Sequence, residues 1–423
     1  MEATKATHSS TWDEIVKPSA EEVYEGFRNV LDWTEGFGLV FVQCSPVQGS
    51  ELIEQIQKDL PNKRVEILRF KEGEEIRNLY NLVEALPNHD QIDVLFIRGL
   101  EYSFVPYIKP GYGGQGDYYK LDNLPPILGH LNLQRERFRN DFEICFVFLL
   151  PFFGIKYFIQ RAPDFFDWRL GLFRVSGKKD LIGLEIFRLI EDANYDQYCQ
   201  WNFSQRMTRI LEIETLLKED LESEDKSFLL LEQGNLWVVS SANKEAITSY
   251  DQALEIKPDF HYAWYNRGVA LFNLDRYEEA IASYDQALKI KPDFYSAWYN
   301  RGNTLFNLGK YEEAIASYDH ALKIKPNDNH AWHNRGYALN NLGRYEKAIA
   351  SYDKALKIEP NFASAYFNKA CVYALQENLD LALKNLTQAI NLDSQYLENA
   401  KTDADFDKIR HTPSFQRLIA EKH

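Results

Sequence analysis

The sequence predicts an α/β N-terminal domain on a mostly parallel sheet, followed by an all-α solenoid of helical hairpins. Three observations predict it. Trp264, Trp298 and Trp332 recur every 34 residues inside near-copies of AWYNRG, the period of a hairpin array. Between Phe37 and about Val175, short apolar runs alternate with amphipathic segments. Each apolar run is near-continuous rather than alternating, as in strands covered on both faces.

In chain order, a flexible N-terminus of about 20 residues opens the sequence. MEATKATHSSTWDE is polar, without an apolar stretch or small-residue cleavage pattern, so it does not read as a signal peptide. The α/β domain is assigned to 21–180. Its strands are GLVFVQC (38–44), RVEILRF (64–70), IDVLFIRGL (92–100) and EICFVFLLP (143–151), and its helices are SELIEQIQKDL, EEIRNLYNLVEAL and ILGHLNLQRERFRND. Strand–helix alternation implies right-handed crossovers in a parallel sheet. ICFVFLLPFFGI (144–155) is interrupted by Pro151 and Gly154 and is well short of the roughly 20 residues a spanning helix needs. It reads as a buried strand.

The order of these elements resembles the nucleotide-binding domain of AAA-like or STAND-type P-loop NTPases, in a degenerate form. The resemblance places CSPVQGSE (44–51) where a phosphate loop stands. A working loop reads GxxxxGK[ST], its lysine reaching the phosphates and its hydroxyl holding magnesium. Here Gly49 is followed by Ser50 and Glu51, so the lysine is missing; Arg98 and Gly99 replace the acids that would hold magnesium, with only Glu101 nearby. Gly49 and Ser50 are therefore read as a vestigial loop, with no cofactor. The stretch 130–175 resembles a segment of degenerate ATPase-like domains preceding helical repeats in cyanobacterial proteins. Its Arg135, Arg139, Arg161 and Arg169 either contact an anion at the sheet's carboxyl edge, or Arg135 to Arg139 form one exposed helical face and Asp164 or Asp167 pairs with a neighbouring arginine. IKPGYGGQGDYYKLDN (108–123) is a contact loop or a solvated insertion. Residues 181–226 form a helical connector, with Met207, Ile210, Leu211, Leu217 and Leu221 at helical spacing.

From 227 to 396 the register gives five repeats. Gly268, Gly302 and Gly336 follow the tryptophans by four residues; Ala280, Ala314 and Ala348, then Tyr284, Tyr318 and Tyr352, then Ala287, Ala321 and Ala355 follow in step. Pro258, Pro292, Pro326 and Pro360 close the units, because proline cannot continue a helix. Glycine, lacking a Cβ, allows close helix approach. Gly234, Ala246, Tyr250 and Ala253 extend the pattern upstream, and Tyr366, Ala370, Ala382, Leu386 and Ala389 extend it downstream. Residues 397–423 fit capping helices, with Phe406, Ile409, Phe415, Leu418 and Ile419 as the apolar side. Together these positions resemble the tetratricopeptide repeat (TPR) family, and the closing segment resembles that of bacterial members.

The resemblance implies a concave groove lined by the first helix of each hairpin. It places Tyr265, Asn266, Tyr299, Asn300, Asn303, Phe306, His333, Asn334, Tyr337 and Asn368 there, and an asparagine stands at position six four times running. Each amide carries a donor pair and an acceptor, so the row is read either as a grip on an extended peptide backbone or as bonding to the next hairpin's backbone. It resembles the asparagine ladder of O-GlcNAc transferases, without their catalytic domain. His330 and His333 are read as groove-lining; no metal site is expected.

The net charge of −15 argues against nucleic acid, since phosphate contact needs a basic face. Four cysteines without paired spacing suggest neither a disulfide framework nor a zinc site, in keeping with a reducing cytoplasm. No catalytic constellation is legible. The expectation is a non-catalytic, cytoplasmic adaptor holding a protein segment, without membrane contact or cofactor; a homo-oligomer is left open. The alternatives are a nucleotide-gated signalling or defence-system switch, or the regulatory subunit of a separate enzyme.

Overall fold

The computed structural model describes residues 19–74, 76–107, 124–175, 186, 189 and 195–420. The Gly/Tyr-rich stretch 108–123, most of the N-terminal segment and much of 181–194 lie outside the described residues. The chain divides into two compact units, Met1–Ala242 and Asn243–His423. The division falls inside the first repeat as read from the sequence.

The first unit holds a five-stranded parallel sheet of order β2-β3-β4-β1-β5, with β1 at Gly38–Gln43, β2 at Val65–Arg69, β3 at Val94–Arg98, β4 at Cys145–Leu150 and β5 at Gly171–Arg174. The alternation of side chains along each strand builds two cores. Val40, Val42, Val94, Phe96, Cys145, Val147 and Leu149 share one face with Phe27 and Leu31 of α1 (Ala20–Trp33) and Leu52, Ile53 and Ile56 of α2 (Pro46–Asp59). The opposite face is aromatic. Phe41 and Phe148 stack at 5.0 Å, and Phe158 and Phe166 close over Phe41 at 5.1 and 4.8 Å. Those rings come from α5 (Phe152–Arg161) and α6 (Pro163–Phe166), while Phe138 of α4 (Pro126–Asp141) meets Phe146 at 5.4 Å.

Four strands fall within the runs read from sequence. β4 is buried throughout, and Pro151 ends it before α5 begins. Several elements are additional, including α6 and α5, which takes 152–155 out of the stretch read as a buried strand because Pro151 ends β4. α1 starts at a capping box in which Ser19 and Glu22 satisfy each other's backbone N–H. β5 extends the sheet by pairing with β1 from Val40↔Gly171 to Gln43↔Arg174. Among the described residues no helix is long and apolar enough to cross a membrane.

The second unit is helical. Asn243–Ile256 leads, then come the pairs His261–Phe272 with Tyr277–Ile290, Tyr295–Asn307 with Tyr311–Ile324, Asn329–Asn341 with Tyr345–Ile358, and Ala363–Leu375 with Leu379–Leu392. The second helices of the first three pairs end at Ile290, Ile324 and Ile358, two residues before each proline, as the constraint on a residue preceding proline requires. The glycines do what the sequence predicts. A Cβ on Gly268, Gly302 or Gly336 would stand 2.5, 2.6 or 2.7 Å from Cε1 of Tyr284, Tyr318 or Tyr352, so each ring lies on a bare backbone. In the last pair Ala370 takes the glycine slot and Leu386 the tyrosine slot, a smaller side chain over a larger one; both are fully buried. Phe406, Ile409 and Phe415 of the terminal segment seal this pair, joined by the half-buried Leu418 and Ile419.

Candidate functional site

The first helices of successive hairpins touch one another and form one continuous layer, so position-six residues recur along it. Asn300 Nδ2 donates to Tyr265 Oη at 3.0 Å, and Asn334 Nδ2 donates to Tyr299 Oη at 3.0 Å and to Asn303 Oδ1 at 3.1 Å. Asn368 Nδ2 lies 2.9 Å from His333 Nε2. Each asparagine thus reaches back 35 residues to position five of the preceding first helix. His333 stands in that series where tyrosine stands elsewhere.

The amides are therefore spent unequally. Asn334 is the most heavily engaged: both its N–H groups donate, and its Oδ1 lies 3.2 Å from His333 Nδ1. Among the described residues, Asn300 keeps its Oδ1 and one N–H without a partner. Of the two roles open in the sequence, bonding between repeats is the one the geometry displays at Asn334 and Asn368, although the partner atoms are side chains rather than backbone. Burial lowers the basicity of His333, whose Nε2 is an acceptor when unprotonated.

Aromatic rings complete the layer. Phe306 and Tyr337 stack at 4.9 Å, and Tyr337 is 42% exposed. Tyr295 and Tyr299 stack at 5.9 Å. Tyr265 packs on Phe294 at 4.9 Å, and Asn266 sits beside it, half-buried. His330 and His333 meet Phe362 edge-on and tilted; among the described residues they join no third metal-ligating side chain.

A second lattice escaped the sequence reading. Arg267 Nε donates to Asp251 and its Nη1 to Ser283 Oγ, each at 2.6 Å; Arg301 joins Asp285 to Ser317 and Arg335 joins Asp319 to Ser351 in the same way. Each arginine ties the preceding second helix to its own. Trp264, Trp298 and Trp332 add bonds from Nε1 to the carbonyls of Pro258, Pro292 and Pro326. The repeat proline is thus an acceptor as well as a helix stop.

In the first unit, the vestigial loop needs correction. Gly49 and Ser50 lie in α2, not in a loop, because Ser45 caps the helix and Gln48 returns the bond to the Ser45 N–H, with Pro46 in the first turn. Only Cys44 and Ser45 separate β1 from α2. Arg98 closes the place from the end of β3: Nη1 donates to Ser50 Oγ at 2.9 Å and Nη2 to the Pro46 carbonyl at 2.7 Å. Beside it, at the carboxyl edge of the sheet, a cavity of about 330 Å³ is lined by Gly49, Arg69, Arg98, Glu101 and Tyr102 among others. Burial pushes the Glu101 carboxyl up to about 7, and its Oε2 has no hydrogen-bond partner. Arg135 and Arg169 pair with Asp164 and Asp167 at 3.4 and 3.6 Å, while Arg139 lies over Trp168 at 5.6 Å.

Comparison with known proteins places the repeats. Family models described as tetratricopeptide repeat match 261–294, 295–328, 330–362 and 351–384, and one described as TPR repeat matches 240–275. The chain carries tetratricopeptide repeats over this stretch. Among solved structures, it is similar to YrrB, described as a TPR protein with an unusual peptide-binding site, at 26% identity over 41% of this chain and 91% of that one, with a TM-score of 0.38. It is also similar to a MamA structure at 21% identity (39% and 96% covered, TM-score 0.38) and to MamA from Desulfovibrio magneticus RS-1 at 22% (40% and 97%, TM-score 0.39). No curated protein matches the chain.

Proposed function

We propose that this protein is a non-catalytic, cytoplasmic scaffold whose repeat layer holds an extended segment of a partner protein. One observation carries the reading: along an unbroken row of first helices, the Phe306–Tyr337 stack leaves an aromatic edge open to solvent one repeat away from Asn300, whose Oδ1 and one N–H are unspent. An extended strand presents alternating side chains and backbone amides at matching intervals. Tyrosine gives a large, stiff contact with a polar tip, and the free amide functions accept and donate to a backbone. Asn303, Phe306 and Tyr337 select side chains, while Asn334 and Asn368 hold the repeats in register.

The test is site-specific photo-crosslinking. Benzoylphenylalanine replaces Tyr337 in the full chain expressed in its host, and the exposed Trp33 serves as the control position. Recovery of the same crosslinked peptide from Tyr337 and from a second probe at Asn307, with none from Trp33, supports the reading. Crosslinks only from Trp33 sink it.

A second reading, a nucleotide-gated switch, draws on the cavity beside Glu101, since ligands of open parallel sheets bind outside the strand carboxyl ends. Arg98 opposes it by occupying Ser50 and the Pro46 carbonyl. Equilibrium dialysis with magnesium and labelled ATP decides: retention by the wild type that is lost in Arg69→Ala favours the switch.

A further inference from the structure

The sulfur of Cys371 and one carboxylate oxygen from each of Asp403 and Asp405 lie within 4.8 Å of one another. They come from two elements. Cys371 sits on the helix Ala363–Leu375, and the aspartates flank the start of the 3-10 turn Ala404–Phe406 that Phe406 anchors in the terminal core. The thiol is buried, and a carboxylate oxygen of Asp405 lies within 4.8 Å of its sulfur. Neighbouring cations are committed elsewhere: Lys401 pairs with Glu398 at 2.6 Å, and Arg410 pairs with Asp407 at 2.8 Å and donates to the Asp403 carbonyl, not its carboxylate. No ion pair joins either aspartate among the described residues.

An independent observation points into the same place. Tyr352 is fully buried, yet its hydroxyl has no hydrogen-bond partner, and Cys371, Tyr337 and Asp405 are the groups whose charge bears on it. One repeat earlier, the equivalent Tyr318 donates to Asn303 Oδ1 at 2.8 Å. The slot of Asn303 becomes Tyr337 and then Cys371 in the next two repeats, at intervals of 34. The amide acceptor has been exchanged for a phenol and then for a thiol, next to two carboxylates that no lysine or arginine pairs among the described residues; Asp403 Oδ1 accepts the Asp405 N–H at 3.0 Å.

We infer that Cys371, Asp403 and Asp405 form a site for a zinc-class divalent cation at the C-terminal end of the repeats. One sulfur with two oxygens is a donor set for a borderline-soft ion rather than magnesium or calcium, which take oxygen alone. Bonds of about 2.3 Å to sulfur and roughly 2.0–2.2 Å to oxygen set tetrahedral donor atoms about 3.5 Å apart, inside the 4.8 Å within which these three atoms lie. Binding transfers the Cys371 proton to solvent and forms a metal–thiolate bond. The fourth position stays open to water, and the Tyr352 hydroxyl supplies that water's partner. The cation then joins the last repeat to its cap.

The experiment uses the full chain, stripped with a chelator and titrated with Co²⁺, then Zn²⁺. One equivalent of Co²⁺ should give a thiolate-to-cobalt charge-transfer band that Zn²⁺ displaces, with the melting temperature raised. Cys371→Ser should abolish the band, Cys199→Ser should keep it, and Asp405→Asn should weaken binding at least tenfold. No band, or a band that follows Cys199, overturns the site. If Cys371→Ser loses its helical circular dichroism, the Asp403→Asn/Asp405→Asn pair decides instead: unchanged cobalt affinity in that variant overturns the proposal.

Discussion

Asn334 Nδ2 donates to Tyr299 Oη across 3.0 Å, joining two first helices whose residues lie 35 apart in sequence. With Asn303 and His333, Asn334 takes part in three hydrogen bonds, whereas Asn300 takes part in one through its side chain. A typical net bond is worth about 0.5–1.5 kcal/mol. Asn334→Ala should therefore lower the stability of the second unit by roughly 1–3 kcal/mol, and Asn300→Ala by about 0.5–1.5 kcal/mol. Urea titration followed by circular dichroism checks the difference. Equal effects would mean that the bonds around Asn334 carry no weight. For partner binding the order reverses, since Asn300 keeps an Oδ1 and an N–H whereas Asn334 has both N–H groups and its Oδ1 engaged.

Gly302→Ala should destabilise the same unit by about 1–3 kcal/mol, because its Cβ would meet Cε1 of Tyr318 at 2.6 Å. The chain contains its own remedy in Ala370 and Leu386. The double variant Gly302→Ala/Tyr318→Leu should thus recover part of the loss and show a strong non-additive coupling, although it forfeits the Tyr318–Asn303 bond. Thermal melts of the two single variants and the double test this. Strict additivity would remove the ring–backbone contact as the reason for the glycine.

The periodicity makes the second unit legible because every packing position repeats: glycine under tyrosine, alanine at the crossings, proline at the ends. The arginine lattice is equally available, since Arg267, Arg301 and Arg335 sit 16 residues from an aspartate before and a serine after. Polar residues at that spacing carry no signal until the preceding second helix and both helices of the hairpin are placed side by side. In the first unit the apolar runs reveal four strands, but β5 is only GLFR and half-buried, too short to stand out. At Gly49 and Ser50 the family pattern points to a loop, and the local pattern overrules it. Ser45 and Gln48, three apart, are a helix-start signature. The Cys371–Asp403–Asp405 cluster is not legible in sequence, because the thiol and the carboxylates stand in separate segments that only the packing of the cap brings together.

Histidine in place of tyrosine makes the repeat register sensitive to acid. Burial lowers the pKa of His333 from its ordinary value of 6.5, so the unfolded chain takes up a proton before the folded one does. The stability contributed by neutral His333 is fully present above about pH 6.5 and declines as the pH falls below it. Protonation also turns Nε2 from an acceptor into a donor facing the Asn368 amide, 2.9 Å away. Melts of the wild type and His333→Tyr between pH 7.5 and about 5.5 should diverge as acid is added. Parallel curves would remove His333 as the sensor.

Glu101 carries the opposite sign. Its carboxyl is pushed from 4.5 up to about 7 by burial, with the Glu212 charge acting the same way and Arg98 against it. The folded first unit therefore prefers the protonated acid. That preference is fully present below about pH 4.5 and is lost as the pH rises toward 7, where the unfolded carboxyl is ionised and the folded one must follow. A glutamine side chain in its place would keep the shape and stay neutral, so Glu101→Gln should stabilise the first unit at pH 8 by on the order of 1–3 kcal/mol and by far less at pH 5. Denaturant unfolding read through the tryptophans at the two pH values checks this, against a Glu72→Gln control on the exposed rim of the same cavity. A variant that is destabilised at pH 8 would show that the ionised carboxylate, held by Arg98, is what the fold requires, and that the cavity contains a structural ion pair rather than a neutral acid.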